Sequence, residues 1–403
     1  MSKINLGLER VELLMEKLRH PERRVKTIHV AGTNGKGSTT AYLREMLKEA
    51  GFITGTYTSP YWDTPAEQIA INGEHIRESE LEKCLSEIAP AIKETETDLG
   101  SVVTEFERMT AAALYYFSTM KPVDIAIIET GMGGRRDATN VIVPLVSIIT
   151  TVGMDHEAWL GDTIRVISRE KAGVIKSGVP VFTAVQGEAL DVIKEEARLK
   201  HTKVYEAGKA AKITIEERKK DETTFQYSSS YKDLKNLSTL MPGDHQVTNA
   251  ALGIMAIDYM KQYYAMMVDD EAIRNGIKQA VMPGRLEKVS KNPVVLLDTA
   301  HNPQAIEALA KTIKARYQDT DFNVLFGVMK DKDYKQMLQM LRESFSEVLV
   351  TSFDDERAAS IDQLQLNEIT AVDDVRSWLE KNNQPLIITG SQKFIGQVRQ
   401  YLT

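Results

Sequence analysis

The chain has 403 residues, enough for two or three domains at roughly 150 residues each, and its 42% hydrophobic and 27% charged residues exclude a wholly disordered chain. Fifty Lys and Arg against 57 Asp and Glu leave a net charge of −7, so no whole-surface attraction to nucleic acid or anionic lipid is expected, while a local basic pocket for phosphates stays open. Cys84 is the one cysteine, which excludes an intramolecular disulfide, and no Cys/His cluster has zinc spacing. The N-terminal MSKINLGLERVELLMEKLRH is amphipathic and charged, unlike a signal peptide, and no apolar run approaches the ~18 residues of a membrane span. A reducing, cytoplasmic setting is the expectation.

Helix and strand signals alternate along the chain. Residues 7–19 place Val11, Leu13, Leu14 and Leu18 near one helical face. Residues 26–31 predict a buried strand that runs into GTNGKGST and then a helical pattern stopped by Gly51. A long helix is predicted over 104–120, then a buried strand over 123–129 followed by a second glycine cluster. Stretches 145–150 and 179–184 repeat the strand pattern. Buried strands between helices predict an α/β fold with a mostly parallel sheet. Residues 201–240 differ: KITIEE and TTFQYSSSY alternate and predict a small antiparallel β excursion. A helix near 245–264 follows. VMPGRLEKV (281–289) carries Pro and Gly, as a domain junction would. The α/β rhythm then restarts, with strands over 294–298, 323–328, 347–352 and 385–390, helices near 303–317 and 333–345, and a final helix. That makes a second, smaller α/β unit.

Four clusters carry chemistry. In Ala31–Thr39 (AGTNGKGST), glycines let backbone N–H groups wrap phosphate oxygens, and the following helix N-terminus adds a partial positive charge. Lys36 can bridge β- and γ-phosphates, and the Ser38 or Thr39 hydroxyl can face Mg²⁺. The spacing departs from the usual Walker A, because Gly37 separates Lys36 from Ser38. The bland reading is a glycine turn with a solvated lysine. In Glu129–Asn140 (ETGMGGRRDATN), Glu129 sits at the carboxyl end of a predicted strand, where ligands of open α/β sheets bind, and a carboxylate there suits Mg²⁺. Taken alone, an acidic strand end facing water is the commoner case. Asp155-His156 lies just beyond another strand, although Mg²⁺ prefers oxygen to imidazole. In Arg169–Lys176 (REKAGVIK), periodicity does not separate Lys171 from Lys176, and a Glu-Lys pair is ordinarily a solvated helix face. In the second unit, Asp298, His301 and Ser391 all follow strands, with Arg285 shortly before. They could line an interdomain cleft or serve as caps and turns.

Read together, GTNGKGST, TSP (58–60), TEFE (104–107), ETGMGGRRDATN, MDH (154–156), LGDT (160–163), EKAGVIK, HQVTNAAL (245–252), PGRLE (283–287), DTAHNP (298–303), MKDKD (329–333) and ITGS (388–391) occur in order. The set closely resembles the folylpolyglutamate synthase/dihydrofolate synthase family of the Mur ligase superfamily. The resemblance implies a P-loop ATPase-like domain over 1–283 and a smaller Rossmann-like α/β domain over 284–403. It also implies an ATP-dependent amide ligase. Asn34, Gly35, Lys36 and Gly37, with Ser38, match its phosphate loop; Ser59, Glu129 and His156 match its Mg²⁺ positions; Lys171 matches a lysine carbamylated in the family. Asn249, Arg285 and Asp298 match nucleotide contacts, and His301 and Ser391 match positions holding the incoming glutamate. Thr104, Glu105, Phe106 and Glu107, and Arg136, Asp137 and Ala138, match segments near the pterin site. The implied partners of a monomer are small molecules: ATP with Mg²⁺, L-glutamate, and a reduced folate or dihydropteroate, with no nucleic acid and no membrane.

Departures fall in two segments. Where the family has an aromatic residue and an arginine, this chain has Pro65 and Gln68, and Gly390-Ser391-Gln392-Lys393-Phe394 replaces a more apolar run. The expected reaction is γ-glutamyl extension of tetrahydrofolate. The alternatives are glutamate addition to dihydropteroate, both reactions in one enzyme, a related ligase with a non-folate acceptor, or a P-loop regulator without ligase activity.

Overall fold

The computed structural model describes residues 5–365 and 369–402, and the chain divides into two compact units. One runs up to Thr214 and takes in Phe225–Thr239 and Gln246–Val281; the other comprises Ile215–Thr224, Leu240–His245 and the chain from Met282 onward. No helix of the described residues is long and apolar enough to cross a membrane.

The first unit opens with α1 (Glu9–Lys17), β1 (Thr27–Ala31), α2 (Lys36–Glu49), β2 (Thr54–Tyr57), β3 (Ile69–Ile71), β4 (Glu74–His75), α3 (Glu78–Leu99) and α4 (Glu105–Tyr115). It continues with β5 (Ile125–Glu129), β6 (Val146–Ile149), α5 (Glu157–Leu160), α6 (Ile164–Ala172), β7 (Val181–Thr183), α7 (Gly187–Leu199) and β8 (Val204–Glu206). These strands form one sheet in the order β4-β3-β2-β5-β1-β6-β7-β8. Its pairings are parallel except β2–β3 and β3–β4, so β3 alone is reversed. Both β1 and β5 are buried at every position, as strands covered on two faces must be. Ala126 and Ile128 of β5 join the core made with α1, α3 and α4.

Five elements differ from the sequence pattern. Helix α2 begins at Lys36, inside the glycine cluster, with Gly35 as its N-cap; the poor helix propensity of two glycines hid that start. The expected helix over 104–120 ends at Tyr115 and passes into a π-helical turn at Tyr116–Met120. Strands β2 to β4 went unseen because TGTY, IAI and EH are too short to display an alternation.

Helices α1 and α4 are tied by a buried ion pair. Arg10 Nη2 lies 2.9 Å from Glu107 Oε1, with side-chain exposures of 11% and 3%. Replacing Arg10 by Met should lower stability by about 2–3 kcal/mol in a urea melt, since Glu107 loses its cation but keeps the Thr104 donors.

The β excursion is a three-stranded sheet of β9 (Ala211–Arg218), β10 (Thr223–Ser229) and β11 (Asp233–Thr239), with β10 central. Then come α8 (Asp244–Tyr264), most of it buried, and α9 (Asp270–Gln279).

The second unit continues with β12 (Glu287–Lys291), β13 (Val294–Leu297), α10 (Pro303–Arg316), β14 (Asn323–Phe326), α11 (Tyr334–Ser344), β15 (Glu347–Val350), α12 (Ile361–Leu364), β16 (Thr370–Ala371), α13 (Val375–Lys381), β17 (Leu386–Thr389) and α14 (Gln392–Leu402). Its sheet runs β12-β13-β17-β14-β15-β16, parallel except for β12. The last strand sits between the second and third, so the carboxyl ends of β13 and β17 are neighbours. This is the edge at which open α/β sheets bind ligands.

Candidate functional site

The first unit gathers its polar groups at the carboxyl ends of β1, β5 and β6. The loop after β1 is held from the β6 side. Thr33 N–H donates to the Thr151 carbonyl at 2.9 Å, Asn34 N–H to Thr151 Oγ1 at 2.9 Å, and Thr150 Oγ1 donates to the Asn34 carbonyl at 2.7 Å. Gly35 takes φ +91°, and a Cβ there would lie 2.6 Å from Asn249 Oδ1, so both conformation and space call for glycine. Asn249 on α8 is set by Gln246, to which its Nδ2 donates at 3.1 Å. The loop therefore delivers Gly35, Lys36, Gly37 and Ser38 to the first turn of α2, where amide groups have no carbonyl one turn back. Lys36 folds over the loop: its Nζ donates to the Gly32 carbonyl at 3.2 Å and lies 3.9 Å from Glu129 Oε1. Glu129 ends β5 and is 5% exposed. Ser38 and Thr39 are buried, and Thr39 Oγ1 has no hydrogen-bond partner among the described residues. Ser59 stands two residues beyond β2, whose Tyr57 pairs with Ile128, so it belongs to the strand end beside Glu129.

The second glycine cluster packs on α6. Arg135 N–H donates to the Glu170 carbonyl at 2.6 Å, and a Cβ on Gly173 would come within 2.4 Å of Arg135 Cα. Asn140 Nδ2 donates to the Arg135 and Gly173 carbonyls, both at 3.1 Å. This contact joins GGRRDATN to EKAG and brings Lys171 in. Lys171 is 3% exposed, and its amine is lowered to about 7, first by burial and then by the Lys36 ammonium; Asp155, Asp137 and Glu170 pull the other way. The structure separates what periodicity could not. Lys176 instead donates to the Asn140 carbonyl at 2.6 Å, with its amine lowered to about 8, mainly by burial. Asp155 Oδ1 accepts the His156 N–H at 2.9 Å, and His156 takes φ +53° as the N-cap of α5.

The remaining first-unit residues separate into two kinds. Thr104 and Glu107 form the N-terminal cap of α4: Thr104 N–H and Oγ1 donate to Glu107 Oε2 at 2.7 and 2.8 Å, while Arg10 holds the same carboxylate. Arg136 is directed to Glu170, at 3.2 Å, and to the Trp159 carbonyl. By contrast, the Phe106 ring lies 6.0 Å from that of Tyr57 and close over Gly131. Glu105 is exposed and acts electrostatically on Tyr57 and Tyr61. Asp137 and Ala138 are buried, 3% and 5% exposed. Asp137 Oδ2 accepts Met132 N–H at 2.8 Å and Oδ1 accepts Thr139 N–H at 3.0 Å; burial pushes its carboxyl up, against those hydrogen bonds. In the departing loop, Glu67 closes the turn by accepting the N–H groups of Trp62, Asp63 and Thr64 at 2.9, 3.1 and 3.2 Å. Gln68 is 5% exposed, and a neutral residue suits that position better than an unpaired arginine.

In the second unit, Asp298 follows β13 and its N–H donates to Ile388 of β17 at 3.0 Å. Its carboxylate accepts Leu286 N–H at 3.0 Å and Ala300 N–H at 2.9 Å. Arg285 Nη1 donates to Thr299 Oγ1 at 2.5 Å, and His301 Nδ1 pairs with the Thr299 carbonyl at 2.8 Å. Ser391, 3% exposed, follows β17. All four predicted residues thus cluster at the β13 and β17 strand ends.

Residues 30–257 match the Mur ligase middle domain, and residues 284–387 match the Mur ligase, glutamate ligase domain. A dihydrofolate synthase/folylpolyglutamate synthase of Bacillus subtilis is 40% identical over 407 residues, covering 98% of this chain and 95% of that protein. The chain belongs to the folylpolyglutamate synthase/dihydrofolate synthase family of Mur ligases. Among solved structures, folylpolyglutamate synthase of Thermotoga maritima superposes with a TM-score of 0.88 at 32% identity, covering 99% of this chain and 94% of that one. Mycobacterium tuberculosis folylpolyglutamate synthase, solved with ADP and AMPPCP, superposes with a TM-score of 0.89 at 28% identity, covering 98% and 95%.

For this Mur ligase, motif reading missed Thr150 and Thr151, which pin the glycine-rich loop after β1, and His29 and Thr139, which stand behind Asp137. A Thr-Thr pair closing a predicted strand was the available signal for the first two. A histidine inside an otherwise buried strand was the signal for the third.

Proposed function

We propose that this ligase joins L-glutamate to the γ-carboxylate of a reduced folate at the expense of ATP, with residues 1–283 as the nucleotide-binding domain and 284–403 as the ligase domain. The observation that carries the reading is the grouping of Lys36, Glu129 and the buried Lys171 around the first turn of α2. The relatives' names and the nucleotide complexes of the Mycobacterium tuberculosis protein support it.

A carboxylate is a poor electrophile. Its oxygen attacks the γ-phosphorus of ATP, the bond to the β-phosphate oxygen breaks, and ADP leaves an acyl phosphate. The glutamate amine then attacks the acyl carbon and loses a proton, and the tetrahedral intermediate collapses to amide and phosphate. The α2 amides and Lys36 Nζ bind the triphosphate and offset charge on the transferred group. Asn249, with Arg285 and Asp298, contacts the nucleotide. His301 and Ser391 hold the glutamate. Phe106, Glu105, Asp137 and Ala138 hold the pterin end of the acceptor; Arg136, Thr104 and Glu107 brace that site through α6 and α1.

A magnesium ion fits the donor set. Among the described residues no group of three or more His, Cys, Asp or Glu forms a metal cage, and Mg²⁺ held through nucleotide phosphates needs only one or two carboxylates. Glu129 and the Ser59 hydroxyl would hold it, with His156 beside them. When bound, it neutralises phosphoryl oxygen charge.

The second reading, glutamate addition to dihydropteroate, is favoured by the double name of the Bacillus subtilis relative. A mass-resolved assay with MgATP, glutamate and, in turn, dihydropteroate, dihydrofolate and tetrahydrofolate decides. Products heavier by one glutamate residue, formed with stoichiometric phosphate, are expected. Phosphate release indifferent to every folate and pteroate overturns the proposal.

A further inference from the structure

A histidine in the middle of a buried strand calls for an account. His29 lies in β1 with 0% exposure, and its neighbours Ile28 and Val30 are equally buried. Leucine or valine would fill that place without the desolvation penalty of an imidazole. Among the described residues the ring hydrogen-bonds one group: His29 Nε2 lies 2.9 Å from Thr139 Oγ1. That hydroxyl in turn donates to Asp137 Oδ1 at 2.6 Å.

The direction of the chain follows from counting donors. Each Asp137 oxygen accepts a backbone N–H, from Met132 and Thr139. Burial raises this carboxyl, but both of its oxygens are already engaged as acceptors of backbone N–H groups, so the Thr139 hydroxyl meets an acceptor at Oδ1. The Thr139 hydroxyl therefore directs its one hydrogen to Asp137, and its oxygen accepts from His29 Nε2–H. The other ring nitrogen agrees. Nδ1 is buried without a hydrogen-bond partner among the described residues. A bare lone pair there is milder than an N–H with no acceptor, which would leave a donor stranded. Both arguments select the Nε2–H tautomer. Burial, with Lys176 as the charged neighbour, lowers the ring to about 3, so it stays a neutral donor.

We infer that His29 is a positioning residue for the acceptor substrate, locking the Thr139 hydroxyl so that it fixes the Asp137 carboxylate. This rests on the reading that Asp137 meets the pterin end of the acceptor. Substrate-positioning groups lose their effect on displacements of about 1 Å, with losses reaching about 10²-fold. A hydroxyl freed from His29 can turn away from Asp137 and release it.

The test uses the full chain as parent, His29→Leu, His29→Gln, Thr139→Val and Asp137→Ala, with KM and kcat for each substrate and a thermal melt. His29→Leu should raise the acceptor KM about 10-fold and leave the ATP KM within about twofold. His29→Gln, whose amide keeps a donor near the same place, should recover most of that loss. Thr139→Val should match His29→Leu, and the double variant should lose less than the two single losses combined. The inference is overturned if His29→Leu and Thr139→Val keep the parental acceptor KM, or if all substrates suffer alike and His29→Gln does no better. It stands apart from the site reading through Asp137→Ala. If that variant leaves acceptor kinetics unchanged, the acceptor site lies elsewhere and the inference goes with it. A large loss there beside an inert His29→Leu sinks the inference alone.

Discussion

Replacing Lys36 by Ala should lower kcat by roughly 10²–10³-fold, with a smaller change in nucleotide affinity. The amides of the α2 turn would still hold the phosphates in the ground state. What disappears is the ammonium 3.9 Å from Glu129 Oε1, held over the loop by the Gly32 and Thr33 carbonyls. Charge builds on the transferred phosphoryl only as it leaves ADP, so a cation placed there acts on the transition state more than on binding. Lys36→Arg should not rescue, because a planar guanidinium does not reproduce a compact ammonium curled over this loop. Phosphate release under saturating ATP, set beside calorimetric nucleotide binding, checks both halves. Full turnover by Lys36→Ala would remove the phosphate-loop assignment.

The legible part of this protein was its linear grammar. A strand, a glycine-rich turn and a helix predict the phosphate loop, because phosphate binding demands backbone close to the ligand and a helix start behind it. The buried strands β1, β5, β6, β13, β14, β15 and β17 read correctly within a residue or two, since strands covered on both faces are mostly apolar. Short β2, β3 and β16 carry too few residues for a pattern, and their pairing comes from neighbours instead. The site divides the same way. Glu129 was visible from its place at a strand end. Lys171 could not be told from Lys176 by spacing, because what distinguishes them is tertiary: Lys171 is buried among Lys36, Asp155 and Asp137, whereas Lys176 is taken up by the Asn140 carbonyl. That packing depends on the meeting of Gly173 with Arg135, which residue types announce only through an otherwise unexplained glycine in a helix end. The Glu107 carboxylate, expected near the acceptor, caps its own helix and pairs with Arg10, a partner 97 residues away.

Lys171 carries the last expectation. Carbamate formation consumes a neutral amine and CO₂ and releases a proton, leaving an anion where a cation stood. An ordinary lysine, near 10.5, is almost wholly charged at neutral pH. Burial and Lys36 bring this one to about 7, so about half is nucleophilic at pH 7. The modified side chain would turn repulsion by Lys36 into attraction and could orient magnesium ligands. Lys171→Ala should therefore lose roughly 10²-fold or more in kcat, as loss of a charge-stabilising group does, and bicarbonate should partly restore it by placing a small anion in the vacated space. In the parent, stripping CO₂ should abolish activity most readily below pH 7, where the amine is protonated, and ¹³C-bicarbonate should label a carbamate carbon that Lys171→Ala lacks. Substitution moves stability the opposite way to activity. In the unmodified chain the unfolded state binds the extra proton between about pH 7 and 10.5, so stability rises with pH across that window and is lowest below about 7. Lys171→Met removes the buried cation and should melt a few degrees above the CO₂-stripped parent at pH 6, by about 2–4 °C per kcal/mol recovered. A variant that is inactive yet more stable marks a residue kept for chemistry; equal activity in Lys171→Ala would contradict the carbamate role.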